Sequence, residues 1–161
     1  KRGASGSPGE LRGDFDLTRD LGLLYANTEC GIFGVLPQEN RPEAVGEAIP
    51  VARRTEVRTG KAVILANCRG NEVCAYEIEI EKLYGGSAPT RNLLLRVTDP
   101  ALIALTGGIV QGMSGSPIVQ DGKLVGAVTH VLLDDPQRGY GIFAENMLSA
   151  SGMTAQSAAS A

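Results

Sequence analysis

Histidine occurs once in this 161-residue chain and cysteine three times. A single histidine argues against a transition-metal cluster, and no Cys/His spacing fits a zinc site, so neither a metal nor a cofactor is expected. No apolar run approaches the ~18 residues that a membrane span needs. No targeting segment leads the chain. It opens at Lys1-Arg2-Gly3 without an initiator methionine and reads as a processed or engineered fragment, so a missing leader says little about a longer parent. The basic residues do not cluster and the formal net charge is −3, which argues against a nucleic-acid partner or contact with an anionic membrane. Internal repeats are also absent. What is left is ordinary for a soluble globular chain: 43% hydrophobic and 20% charged residues, at a length that suits one domain with a sizeable core. Cys30, Cys68 and Cys74 make an odd set. Cys68 and Cys74 flank a turn at Arg69-Gly70-Asn71 and would bridge if they faced each other across a hairpin. Isolated, buried thiols are the other reading.

One stretch organises the rest: Thr106-Gly107-Gly108-Ile109-Val110-Gln111-Gly112-Met113-Ser114-Gly115-Ser116-Pro117-Ile118-Val119. A serine between two glycines suits a turn that aims a hydroxyl outward and leaves N–H groups free. A nucleophilic serine needs both features. Ser114 is therefore read as the nucleophile, with the backbone amides of Gly112, Met113 and Ser114 as oxyanion donors. Gly-x-Ser-Gly by itself marks many ordinary loops, so the flanks matter. An α/β-hydrolase elbow has glycine where this chain has Ser116, and it leads into a helix. Here Pro117 leads into a strand-like run, the setting of a chymotrypsin-type protease. Ile118-Val119-Gln120 and Lys123-Leu124-Val125 flank Asp121-Gly122, a type I′ hairpin signal. Val125 to Leu133 is a long β-prone run, residues 134–139 a turn, and Tyr140 to Ala144 another short strand.

The block from Gly107 to Val119, with Gly126-Ala127-Val128-Thr129-His130-Val131, Asp135-Pro136 and Gly139-Tyr140-Gly141-Ile142, closely resembles the SpoIVB peptidase family. Gly31-Ile32-Phe33-Gly34, Pro50-Val51-Ala52, Thr55-Glu56-Val57 and Thr98-Asp99-Pro100 extend the likeness, which covers roughly residues 5 to 150. The resemblance implies a chymotrypsin-like serine endopeptidase that signals during sporulation. It implies a parent secreted across the forespore membrane, anchored there, and carrying a PDZ module. Its substrate would be a regulatory subunit of a membrane metalloprotease complex. The family order is His, Asp, Ser. Ser114 matches the serine, and Asp99 matches the acidic residue.

Asp99 has a second reading, because Asp before Pro100 is also a helix N-cap over a short helix at 99–105. A capping carboxylate has less freedom to orient a histidine. The family histidine lies on an upstream segment, and this sequence has none before Ser114. The expectation is a chain without its general base, which needs its own upstream segment for activity. The alternative is a non-catalytic β domain that binds a peptide or a partner segment. His130 and Val131 are expected in the cleft wall. His130 as the base runs against the family order, while a wall histidine would touch substrate. Phe33, Val131 and Leu133 are candidates for a specificity pocket.

The remaining pattern points to an all-β barrel with one or two short helices. Residues 1–13, rich in Gly, Ser and Pro, read as an opening loop, partly ordered at best. Residues 14–150 form the peptidase domain and 151–161 a flexible tail. Strands are expected at Gly31–Leu36, Ala62–Ala66, Val73–Glu81 and Leu93–Val97, with Glu77, Glu79 and Glu81 on a wet face. A second short helix is expected at 144–150.

Overall fold

The computed structural model describes all residues except 8, 12, 14, 15, 44, 45, 71, 86, 87 and 153–161. Most of the tail expected at 151–161 lies outside the described residues. A small antiparallel hairpin comes first, β1 (Leu23–Thr28) with β2 (Gly31–Val35). Then follow β3 (Gly60–Arg69), β4 (Glu72–Leu83) and β5 (Leu93–Val97). Helix α1 (Pro100–Thr106) precedes β6 (Pro117–Gln120), β7 (Lys123–Val131), β8 (Arg138–Phe143) and helix α2 (Ala144–Ala150). Strands β3 to β8 close into an antiparallel barrel in the order β3-β4-β5-β8-β7-β6. Closure rests on a pairing distant in sequence, Val63 with Val119 and Ile64 with Ile118.

Alternation builds the barrel interior. Tyr76, Ile78 and Ile80 of β4 point inward while Glu77 and Glu79 lie on the outer face. Ile64, Leu93, Leu95, Ile118, Val128 and Ile142 complete a core with almost no solvent exposure. At the β6–β7 turn, Asp121 (φ 50°) and Gly122 (φ 74°) both adopt the left-handed conformation of a type I′ turn, and Gln120 pairs with Lys123.

Two segments lie outside the barrel strands. The stretch 49–57 contributes only a bridge of Val51 to Leu124 and one 3₁₀ turn at Arg54–Glu56, held where the Glu56 carboxylate accepts the Arg53 N–H at 2.7 Å. The opening residues are docked on the barrel. Gly3 N–H donates to Thr106 O (2.7 Å), Gly6 N–H to Leu133 O (2.8 Å) and Leu11 N–H to Gln111 O (2.8 Å). Composition signals the absence of a helix or strand there, but backbone hydrogen bonds to distant loops leave no periodic mark.

Candidate active site

Ser114 lies on the loop between α1 and β6. Helix α1 ends at Gly107, in the left-handed conformation (φ 84°), whose N–H bonds back to Ile103 O. Buried Thr106 steadies this exit, its hydroxyl reaching the carbonyls of Leu102 and Gly108. Ile109 N–H then bonds to Pro136 O at 2.7 Å, tying the loop to the β7–β8 turn. The chain reverses over Val110–Met113, where Met113 N–H donates to Val110 O at 3.1 Å. Met113 is 1% exposed, and its sulfur accepts the Val110 N–H, so the side chain anchors the reversal inside the core. Gly112 holds φ at 96°, a region a side chain rarely enters. With Met113 pulled inward, Ser114 turns outward and is exposed.

The three amides expected as oxyanion donors differ in their bonding. The Met113 amide donates to Val110 O. Among the described residues, no bond occupies the Gly112 and Ser114 amides. Downstream, Gly115 N–H bonds to Val128 O (2.8 Å) and Val128 N–H to Ser116 O (3.0 Å), clamping the loop to β7. The Ser114 hydroxyl donates to Thr129 O at 3.1 Å. A carbonyl accepts that hydrogen bond but cannot take the proton, so this contact orients Oγ without activating it.

A cavity of about 230 Å³ opens beside Ser114, lined on one side by Ile109–Gln111 and on the other by Val128–Val131. His130 and Val131 both line it, where the sequence placed a cleft wall. No hydrogen bond joins His130 to Ser114 among the described residues. Phe33 lines a separate apolar cavity of about 400 Å³ between the β1–β2 hairpin, β6 and α2, which also touches Gly115 and Pro117. Leu133 is 61% exposed and lines neither.

Asp99 is the N-cap of α1. One carboxylate oxygen accepts the N–H groups of Ala101 (2.8 Å) and Leu102 (3.1 Å), and the other accepts that of Glu77 (3.1 Å). Burial pushes its pKa up, but the N–H groups of Leu102, Glu77 and Ala101 outweigh it and hold the carboxyl below its ordinary 3.8. Both oxygens are occupied, Asp99 does not line the Ser114 cavity, and it bonds to neither Ser114 nor His130. Of the residues picked out in sequence, the structure gathers Ser114, His130 and Val131 around one cavity, with Gly112 next to it in the chain, and leaves Asp99 outside it. No group of three or more metal-ligating side chains exists among the described residues.

Sequence reasoning missed the Thr129 carbonyl that accepts from the Ser114 hydroxyl and the opening residues bonded to the loop. Only the spacing of Gly3, Gly6 and Gly9 hinted at the second, since close backbone packing needs small residues.

The family model of the SpoIVB peptidase S55 family matches residues 1–148. Two solved structures are similar in fold. The active form of the Rv3671c protease from M. tuberculosis aligns with a TM-score of 0.52 at 22% identity, over 83% of this chain and 59% of that one. The inactive form of the Rv3671c protease aligns with a TM-score of 0.53 at 20% identity, over 81% of this chain and 67% of that one. The chain thus spans about three fifths of the first of these structures. No curated protein matches it.

Proposed function

The chain belongs to the SpoIVB peptidase family, and from that footing we propose that its serine protease domain works through Ser114 as an acyl-enzyme nucleophile in sporulation signalling. The observation that carries this is the exposed Ser114 hydroxyl beside two uncommitted amides, Gly112 and Ser114, at the mouth of a cavity. In the proposed reaction Oγ attacks the scissile carbonyl carbon while its proton passes to a base. The carbonyl oxygen becomes an oxyanion held by the two amides. Collapse expels the amine half of the peptide, which takes a proton, and water then releases the acyl half and restores the hydroxyl.

The base is assigned to a histidine outside these 161 residues. His130 is a wall residue that meets substrate, and Asp99 acts as the α1 cap. By this reading the chain without its partner segment is inactive as a peptidase. The substrate class follows the family: a regulatory subunit of a membrane metalloprotease complex, cleaved in the space between the two forespore membranes by an anchored parent. No helix among the described residues is long and apolar enough to cross a membrane.

One observation favours a second reading. The Ser114 hydroxyl rests on a carbonyl and not on a base, as in a domain that binds peptide without cutting it. A fluorophosphonate probe and a peptidase assay separate the two, run on this chain and on the protein with its upstream segment, each with Ser114→Ala. Labelling at Ser114 and cleavage by the longer form alone support the proposal. No labelling in either form refutes it, and cleavage by the short chain refutes the external base.

A further inference from the structure

We propose that the opening segment, above all Gly9–Leu11, is a positioning strap that holds the oxyanion site in its working shape. The proposal rests on the reading of Ser114 as nucleophile given above. Glu10 and Gln111 form a parallel bridge: Gln111 N–H donates to Gly9 O at 2.9 Å, and Leu11 N–H donates to Gln111 O at 2.8 Å. These bonds grip the residue immediately before Gly112, one of the two free oxyanion amides. Leu11 also packs on Gly112 itself. A Cβ built at Gly112 would lie 3.0 Å from Leu11 Cβ and 3.3 Å from its carbonyl oxygen.

The rest of the segment ties the strap to the end of α1 and to the β7–β8 turn, the segments that flank the two chain stretches lining the Ser114 cavity. Gly3 N–H bonds to Thr106 O where the loop leaves α1. On the β7–β8 turn, Gly6 N–H bonds to Leu133 O, and the Ser5 hydroxyl donates to Asp134 O at 2.9 Å. Gly9 has no room for a side chain: a Cβ would come 2.3 Å from Lys1 O, 2.5 Å from Gly3 N and 2.7 Å from a Val110 methyl. The nucleophile loop has few regular hydrogen bonds of its own between Val110 and Gly115. Its Gln111–Gly112 segment is held from one side by the core-anchored Met113 and from the other by this strap.

An oxyanion hole acts only if its donors are fixed before charge develops. A docked strap therefore supports the chemical step and leaves ground-state binding in the cavity largely alone. The residues of the strap touch no reacting atom. They act through the orientation of the Gly112 and Ser114 amides.

Gly9→Val releases the strap by overlap, and Leu11→Gly removes the Cβ that packs on Gly112 while keeping the backbone bonds. Two readouts apply to both variants. The first is amide NMR of this chain. Gly9→Val is expected to strip exchange protection from Gln111 and shift the Gly112 and Ser114 amides, with Ile64 and Leu95 unmoved. Leu11→Gly is expected to shift Gly112 and Ser114 with Gln111 still protected. The second is peptide hydrolysis by the protease with its upstream segment. Releasing the strap is expected to lower kcat by about 10²–10³, the cost of losing one oxyanion donor, with KM within about threefold. Unmoved Gly112 and Ser114 amides, or unchanged kcat, after Gln111 loses protection overturns the proposal. Retained protection at Gln111 in Gly9→Val refutes the packing on which it stands. If the unaltered protease hydrolyses no peptide, the nucleophile reading fails, and the amide shifts still decide the strap.

Discussion

Replacing Asp99 by asparagine and by alanine separates two jobs that one carboxylate was expected to do. As the α1 cap, Asp99 accepts from Ala101 and Leu102, and its other oxygen accepts from Glu77 on β4. Alanine leaves all three donors without this acceptor. Losing the cap costs about 1–2 kcal/mol, and stranding the Glu77 amide adds about 1 kcal/mol. At roughly 2–4 °C per kcal/mol for a domain of this size, Asp99→Ala should melt about 4–12 °C lower. Asparagine keeps one acceptor oxygen, so it preserves the cap and loses only the Glu77 bond, about 1 kcal/mol. The sign with pH follows from the lowered pKa. The ionised carboxylate stabilises the fold above its ordinary 3.8, and that contribution is lost as pH falls below 3.8 through the folded value. Thermal unfolding at pH 7 and pH 3 should show the wild type losing this increment on acidification and Asp99→Asn losing less. Activity gives the opposing test. An aspartate that orients a catalytic histidine costs about 10⁴ in kcat when replaced by asparagine. The cap assignment expects Asp99→Asn in the intact protease to stay within a few-fold of wild type, assayed well below its melting point. An asparagine variant that melts like the wild type and has lost activity by thousands would refute the reasoning.

Two further outcomes follow from the barrel. Ile78 is 1% exposed, between Ala62 of β3 and Val97 of β5 in register. Ile78→Ala should cost about 2–5 kcal/mol, which thermal unfolding reads as a drop of roughly 4–20 °C. Tyr76 is pushed up to about 12 by burial first and then by its neighbours Cys68 and Cys74. One of the four tyrosines should therefore ionise near pH 12 in absorbance at 295 nm, and fold stability present below pH 10 should fall as pH rises towards 12. Tyr76→Phe should remove that late transition.

Local chemistry was legible in this chain and non-local chemistry was not. Asp121-Gly122 specifies its turn with two residues, and the Asp99-Pro100 pair specifies a helix start, so both elements stand where the sequence put them. Leu93–Val97 coincides with β5 because both faces of that strand are apolar or screened, leaving a continuous run to read. The family block around Ser114 shows the reaction class, yet it cannot show that the Met113 amide is taken by Val110, because that depends on a buried sulfur. Barrel closure between β3 and β6 and the docking of Gly9–Leu11 on Gln111 join residues separated by many tens of positions. Neither has a period or a turn signature.

The same distinction bears on Asp99. Sequence offered it as both cap and triad member, and matching a motif weighs the two equally. Geometry does not, because a carboxylate has a limited set of acceptor positions. Three N–H groups from two elements already use both oxygens, and each bond favours the ionised form held in place at the α1 start. To orient a histidine, Asp99 would have to release some of these donors, at about 1–2 kcal/mol for the cap alone. An acid committed to its own backbone explains why its motif is tied to the fold: it joins β4 to α1, and α1 leads directly into the loop that carries Ser114.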